Sequence, residues 1–458
     1  TGIDWGKLLL PSQSRGRAWA TPTRVVVLSF GAVIAMGTLL LLIPASTADG
    51  VSPGIVDALF TATSAVCVTG LVVRNTAASW SLLGKVIILV LIQIGGLGLM
   101  TFSTAHALVV GRRIGLRERL VIQEQTGQWR LAGVVSLIKS IILVTVGFEL
   151  VGTLLLTLAF WLTRGPVGSS ALWNGLFHSV SAFCNAGFDI LGNSLMDYPS
   201  NALVNLTIGF LIIFGGLGFH VIIDLIAHRC KWSELSLHSK IVIKMTAALI
   251  VLGTLAVLVL EAGNQGTLGP LDLKGKILAS WFQAVSPRTA GFNSVAMDRL
   301  LPSTVVVTII LMFIGASPGG TGGGVKTTTL AVVSRYVVAT VRGEQDVNVG
   351  NRRIPAEVIS KAVAILLLAV TLVVAATLVL TCTESLPFID LLFEVVSAFG
   401  TVGLTRGVTP SLSTFGKLLI AFIMFVGRVG PVSLVIALTG KGASGGKIRY
   451  PEEKITVG

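Results

Sequence analysis

Charge is what this chain has least of. Only 12% of its 458 residues are Asp, Glu, Lys or Arg, about half of the ~25% found in soluble domains. So few charges cannot coat the surface of a 47.9 kDa body, and the mean hydropathy is +0.87. A soluble enzyme and a disordered chain are both poor readings of that composition. Cysteine is scarce too. Cys67, Cys184, Cys230 and Cys382 form no CxxC pair and no metal-ligand cluster, so they read as small apolar fillers. His106, His178, His220, His228 and His238 show no ligand spacing, and His178 reads as a packing residue. There is no HExxH, no paired intramembrane Asp and no Ser/His set, which argues against a membrane-embedded enzyme.

Long apolar runs are what is present. A bilayer core of ~30 Å needs about 20 apolar residues as helix. Residues 25–48, 86–111, 140–163, 202–223, 245–260, 300–325, 362–383 and 418–440 supply eight candidate spans, broken in charge only by Glu149 and Arg428. The N-terminus has basic residues but no signal-peptide pattern. Lys and Arg sort by connection. Twenty-three lie in the N-terminal stretch, the tail and the connections after spans two, four and six; the alternate connections hold nine, Arg288 included. The positive-inside rule then places both termini in the cytoplasm. The net charge of +13 is mainly this topology signal, with a secondary pull on anionic membrane lipids or an acidic cytoplasmic partner, and not the mark of a nucleic-acid binder.

Each non-cytoplasmic connection also holds a half-apolar stretch too short to span. The four read DALFTATSAVCVTGLVV from Asp57, NGLFHSVSAFCNAGFDI from Asn174, ASWFQAVSPRTAGFNSV from Ala279 and DLLFEVVSAFGTVGLTR from Asp390. They align on Phe60, Phe177, Phe282 and Phe393, then on Ser64, Ser181, Ser286 and Ser397, then on Gly70, Gly187, Gly291 and Gly403. The third copy is one residue short. The repeating unit is therefore span, short helix, extended glycine loop, span. Irregular backbone at membrane depth is tolerated where it lines a water-filled path. Four such loops around one axis would aim carbonyls inward, replacing the hydration shell of a cation. The negative C-terminal ends of the short helices would point to the same place. Glycine suits the loops because it accepts φ > 0 and adds no side chain to the lumen.

At these residues the sequence resembles the Ktr/Trk/HKT superfamily of potassium transporters, over essentially the whole chain. With about 24 residues before the first span it looks like the KtrB-type subunits, not the Trk branch with its two extra N-terminal helices. The resemblance implies an all-α membrane protein of eight transmembrane helices, built as four M1–P–M2 repeats around a pseudo-fourfold central pore. Residues 1–23 would be a cytoplasmic segment, 24–111, 112–229, 230–341 and 342–440 the repeats, and 441–458 a cytoplasmic tail. The implied K⁺ selectivity filter is the backbone of Val68, Thr69 and Gly70; Asn185, Ala186 and Gly187; Thr289, Ala290 and Gly291; and Thr401, Val402 and Gly403. No copy keeps the full TVGYG of tetrameric channels, so a preference for K⁺ over Na⁺ rests on the resemblance.

The sixth span is interrupted by Gly315, Ala316, Ser317, Pro318, Gly319, Gly320, Thr321, Gly322, Gly323 and Gly324, and no helix persists through seven Gly or Pro in ten residues. The run fails as a nucleotide P-loop because Val325 separates Gly324 from Lys326. In the resembled family this segment is an intramembrane loop, and residues 315–328 are expected to act as a gate. Lys326 is expected to reach the cytoplasmic side of the cavity. Arg428 stands where the other repeats have Gly96, Gly216 and Ala316. Flanked by apolar runs on both sides, it reads as a mid-helix charge facing the pore and the gate carbonyls. Glu149 could touch a cation route, pair with a basic residue or make a helix–helix hydrogen bond. Arg288, beside the third glycine, reads as a structural anchor.

The function expected is the ion-conducting subunit of a Ktr-type K⁺ uptake system in the bacterial inner membrane. The resemblance adds Na⁺ dependence, a homodimer, and a separate cytosolic RCK-type ring (KtrA) that alone binds ATP or ADP and works the gate. The basic loops at 111–139 and 342–353 are the expected docking sites for that ring. An alternating-access secondary transporter for monovalent cations is the alternative, but it predicts inverted repeats, whereas these run in one orientation.

Overall fold

The computed structural model describes residues 22–98, 134–164 and 168–439. The expected cytoplasmic tail, and nearly all of the expected N-terminal segment and first basic loop, lie outside these residues. The helices are α1 (Pro22–Leu42), α2 (Ile55–Val66), α3 (Leu82–Leu97), α4 (Val134–Arg164), α5 (Gly168–Phe183), α6 (Ala202–Leu217), α7 (Phe219–Ala227), α8 (Leu237–Glu261), α9 (Leu273–Val285), α10 (Pro302–Phe313), α11 (Thr327–Val341), α12 (Ala356–Thr383), α13 (Phe388–Gly400), α14 (Thr414–Val429) and α15 (Pro431–Thr439). A long helix followed by two shorter ones recurs four times. Between α11 and α12 a two-stranded hairpin pairs Asn348–Val349 with Arg352–Arg353.

The long helices α1, α4, α8 and α12 are each long and apolar enough to cross a membrane. Their outward faces leave Leu39, Leu154, Val259 and Leu378 exposed. Exposed aliphatic rows of that kind belong in lipid, not water. The short helices α2, α5, α9 and α13 are packed inside. Their shared phenylalanines, Phe60, Phe177, Phe282 and Phe393, are all buried. The polar caps are local: Ser81, Asn201, Asp272 and Ser413 each accept a backbone N–H in the first turn of the helix that follows.

The second helix of three of the four units departs from expectation. An interruption was expected only in the span at 300–325, yet the apolar runs beginning at 86, 202 and 418 are also not single helices. Glycine ends each one: Gly98, Gly218 and Gly430 have φ of 80°, 93° and 91°, a region closed to a continuing right-handed helix. At Gly218 the chain turns by 95° into α7. Among the described residues four helices therefore qualify as spans by length, or five if the bent pair counts as one, where eight were expected. In the third unit the break runs from Ile314 to Lys326. Residues 327 and 328, assigned to the gate from sequence, belong to α11.

Close approach fixes these second helices. A methyl group on Gly95, Gly215 or Gly427 would strike the carbonyl oxygen of Val66, Phe183 or Phe399 respectively. Each is the residue four before the loop glycine of its own unit, so α3, α6 and α14 meet α2, α5 and α13 in the same way. Gly31, on the outer side of α1, faces open space. Gly215→Ala is expected to lower the thermal midpoint of the purified protein by an amount equivalent to about 1–3 kcal/mol, the usual cost of overpacking, while Gly31→Ala leaves it in place. Equal midpoints would contradict the contact.

Candidate cation site

The four glycine segments form one closed ring. A methyl group on Gly70 would meet the carbonyl of Ala186 and the Cα of Gly187; on Gly187, the carbonyl of Ala290 at 2.7 Å and the Cα of Gly291 at 3.0 Å. On Gly291 it would meet the carbonyl of Val402 and the Cα of Gly403, and on Gly403 the carbonyl of Thr69 and the Cα of Gly70. Each glycine thus lies beside the next segment's carbonyl, and the fourth closes on the first. No Cβ fits at these four positions.

The local backbone repeats as closely as the sequence does. Two residues before each glycine the chain is left-handed: Val68 at φ 57°, Asn185 at 58°, Thr289 at 75° and Thr401 at 50°. Outside glycine such values are uncommon, and four at one repeat position show that the fold imposes them. The glycines are also at positive φ, from 67° to 94°.

The serines shared by the four copies explain how this backbone is held, a role the sequence alone did not assign. The backbone carbonyls of Ser64, Ser181, Ser286 and Ser397 accept the N–H of Thr69 (2.8 Å), Ala186 (2.7 Å), Ala290 (2.9 Å) and Val402 (2.8 Å). The hydroxyls of Ser64 and Ser397 accept the N–H of Gly70 and Gly403 at 3.0 and 3.1 Å. Those of Ser181 and Ser286 donate to the carbonyls of Phe188 and Phe292. The N–H before the glycine in every segment, and the glycine N–H as well in the first and fourth, is therefore bound to the short helix behind it. The carbonyls next to the glycines, at Thr69, Ala186, Ala290 and Val402, are left on the side of the ring.

On one side of the ring lies an open basin of about 700 Å³, whose lining includes all four glycines together with Asp189 and Asp298. Against the other side lies the interrupted segment after α10. Gly323 donates its N–H to the hydroxyl of Thr401 at 2.8 Å, and a methyl group on Gly322 would overlap the hydroxyl of Thr289. The amide of Asn185 lies 3.2 Å from that same hydroxyl. The segment is tied to α6 as well: Ser317 and Thr321 donate N–H to Gly216 and Gly215 at 3.0 and 3.1 Å. A parallel bridge between Ile314 and Val325 closes its neck.

Lys326 folds back onto this segment, donating to the carbonyl of Gly322 at 2.7 Å. Arg428 donates to the carbonyls of Thr321 in the segment and Gly95 near the end of α3. It stands in the last turn of α14, two residues before the break at Gly430, and not mid-helix as its apolar flanks suggested. A cation there also meets the negative helix end favourably. Glu149 is buried on α4, where its carboxylate accepts from Gln93 of α3 at 3.3 Å and its backbone carbonyl from Ser179 of α5 at 2.8 Å. Of the readings open to it, this geometry is that of a helix–helix hydrogen bond.

A family profile described as TrkH, a cation transport protein, matches residues 6–444. The chain is 42% identical to the Ktr system potassium uptake protein B of Bacillus subtilis over 438 residues, which is 96% of this chain and 97% of that protein. It is 37% identical to the protein of the same description from Vibrio alginolyticus, covering 99% and 98%. The potassium/sodium uptake protein NtpJ of Enterococcus hirae is 36% identical, covering 97% and 99%. These relatives are named as transporters, not enzymes. The crystal structure of the potassium transporter TrkH from Vibrio parahaemolyticus shares the fold, with a TM-score of 0.71 at 19% identity over 92% of this chain and 86% of that one. The chain belongs to the TrkH family of cation transport proteins, within the Ktr/Trk/HKT superfamily.

Proposed function

We propose that the chain is the multi-pass, ion-conducting subunit of a potassium uptake system, in which the ring of glycine segments is the selectivity filter. The carrying observation is the ring itself: four carbonyls beside four glycines, with the N–H of each carbonyl's own residue held by a serine of the short helix. Carbonyl oxygens without a competing side chain suit a dehydrated monovalent cation. The four short helices end at the ring, adding the negative ends of their dipoles. On this reading the four units are M1–P–M2 repeats, with boundaries at 24–111, 112–229, 230–341 and 342–440, arranged about a pseudo-fourfold pore, and both termini are cytoplasmic. The basin is the entrance. The Ile314–Lys326 segment is the gate, obstructing the cytoplasmic side of the filter and pinned by Arg428.

The finer parts of the system follow the same reading. Relatives named as components of a Ktr system support a partner, and a cytosolic nucleotide-binding ring is the partner we assign. The hairpin at 348–353, with its exposed Arg352 and Arg353, is its docking point on the described surface. A second copy of this chain completes the assembly, and Na⁺ supports uptake.

Purified chain in proteoliposomes is expected to carry K⁺ and Rb⁺ faster than Na⁺. Well-folded protein that carries none of them would overturn the reading. Gly403→Ala should cut K⁺ flux at least about tenfold, since a left-handed backbone costs an L residue roughly 1–2 kcal/mol and the added methyl strikes Thr69; undiminished flux would show that the ring is not the path. Arg428→Ala frees the gate carbonyl of Thr321, so the basal flux of both K⁺ and Na⁺ is expected to rise several-fold; wild-type currents would remove Arg428 from the gate. Deletion of residues 345–353 is expected to abolish co-purification of the ring, and a complex that survives the deletion would move the docking site elsewhere.

A further inference from the structure

Arg288 does not fit the role of structural anchor. It is 5% exposed and stands three residues before Gly291. The same place in the other units is taken by Cys67, Cys184 and Gly400, small and uncharged, and all buried. An anchoring arginine is expected to engage its five donors. Arg74 reaches Asp57 and the carbonyl of Pro53, Arg406 reaches Asp390 and the carbonyl of Met297, and Arg428 reaches two carbonyls. Arg288 makes one long bond, from Nη2 to the hydroxyl of Thr246 at 3.4 Å. Its Nε has no partner, and no carboxylate among the described residues forms an ion pair with it. A buried charge left in that state is expensive.

What compensates it is a field, not a counter-ion. Helix α9 ends at Val285, so Arg288 sits just past a negative helix terminus. It is also one residue from Thr289, at the edge of the carbonyl ring. Its head group is bonded to Thr246 of α8, and it is not among the residues that line the basin. The field that holds the guanidinium is the one that draws a cation into the ring.

We propose that Arg288 sets the cation affinity of the ring. Its fixed charge offsets part of the negative potential contributed by the third unit, making the site shallow enough for an ion to leave as well as enter. A conducting site requires that balance. The inference rests on the ring being the conduction path. A unit charge on the order of 10 Å from an ion, at an effective dielectric constant of ~20, changes the ion's affinity roughly tenfold.

The test is the concentration dependence of Rb⁺ uptake by the full chain in proteoliposomes, compared among wild type, Arg288→Met, Arg288→Lys and Thr246→Asp. Arg288→Met removes the charge, and Thr246→Asp leaves the arginine in place but sets a carboxylate against it. Both should lower the half-saturating Rb⁺ concentration by roughly three- to tenfold, with Arg288→Lys closer to wild type. An anchor would behave differently: its loss would lower the maximal rate and leave half-saturation unmoved. If wild type conducts and neither Arg288→Met nor Thr246→Asp shifts half-saturation, the inference falls while the conduction reading stands. If Arg288→Met does not fold, Thr246→Asp decides by the same criterion. A folded wild type that carries no Rb⁺ overturns the conduction reading, and this inference with it.

Discussion

An apolar medium requires every peptide N–H and C=O to find a partner, and the ring of glycine segments is where this chain leaves carbonyls over. At each segment the N–H of the residue before the glycine turns back onto a serine of the short helix, while that residue's carbonyl stays beside the glycine of the neighbouring segment. That asymmetry needs alternating backbone handedness, which explains the left-handed residue two before each glycine and the glycine itself. It also needs the four segments to close on one another, because a carbonyl facing lipid would have no partner. The burial of the short helices and the tight seating of α3, α6 and α14 against them serve to hold that closed ring.

The second helices show the same economy of construction. Their glycines do two jobs: Gly95, Gly215 and Gly427 admit a carbonyl at close range, and Gly98, Gly218 and Gly430 end the helix a few residues later. The freed end carbonyls are then available. Those of Gly215 and Gly216 accept the N–H groups of Thr321 and Ser317, and that of Gly95 accepts from Arg428. A segment too rich in glycine to be a helix is thus held by helix ends that are themselves broken, with Lys326 and Arg428 supplying the remaining donors.

Much of this was legible in the sequence. The Phe–Ser–Gly register of the four copies identified the segments that the structure brings into one ring, and the run from Gly315 to Gly324 marked the interrupted helix. Three features were not legible, each for a physical reason. Gly98, Gly218 and Gly430 lie inside apolar runs, and hydropathy does not register φ, so three breaks passed as continuous spans. Arg428 looked central because apolar residues flank it on both sides, yet the break at Gly430 makes it a helix-end residue. The serines were visible as repeated positions, but their task depends on backbone direction. The missing residue in the third copy is absorbed there: Ala290 bonds to the serine four residues back, where the other units span five.

The central claim is that the ring of peptide oxygens binds a dehydrated monovalent cation, and anomalous scattering from crystals soaked in Rb⁺ addresses it most directly. The account predicts a Rb⁺ peak on the ring axis, coordinated by the carbonyls of Thr69, Ala186, Ala290 and Val402. An axis with no density, in crystals of protein that carries Rb⁺ in proteoliposomes, would contradict it.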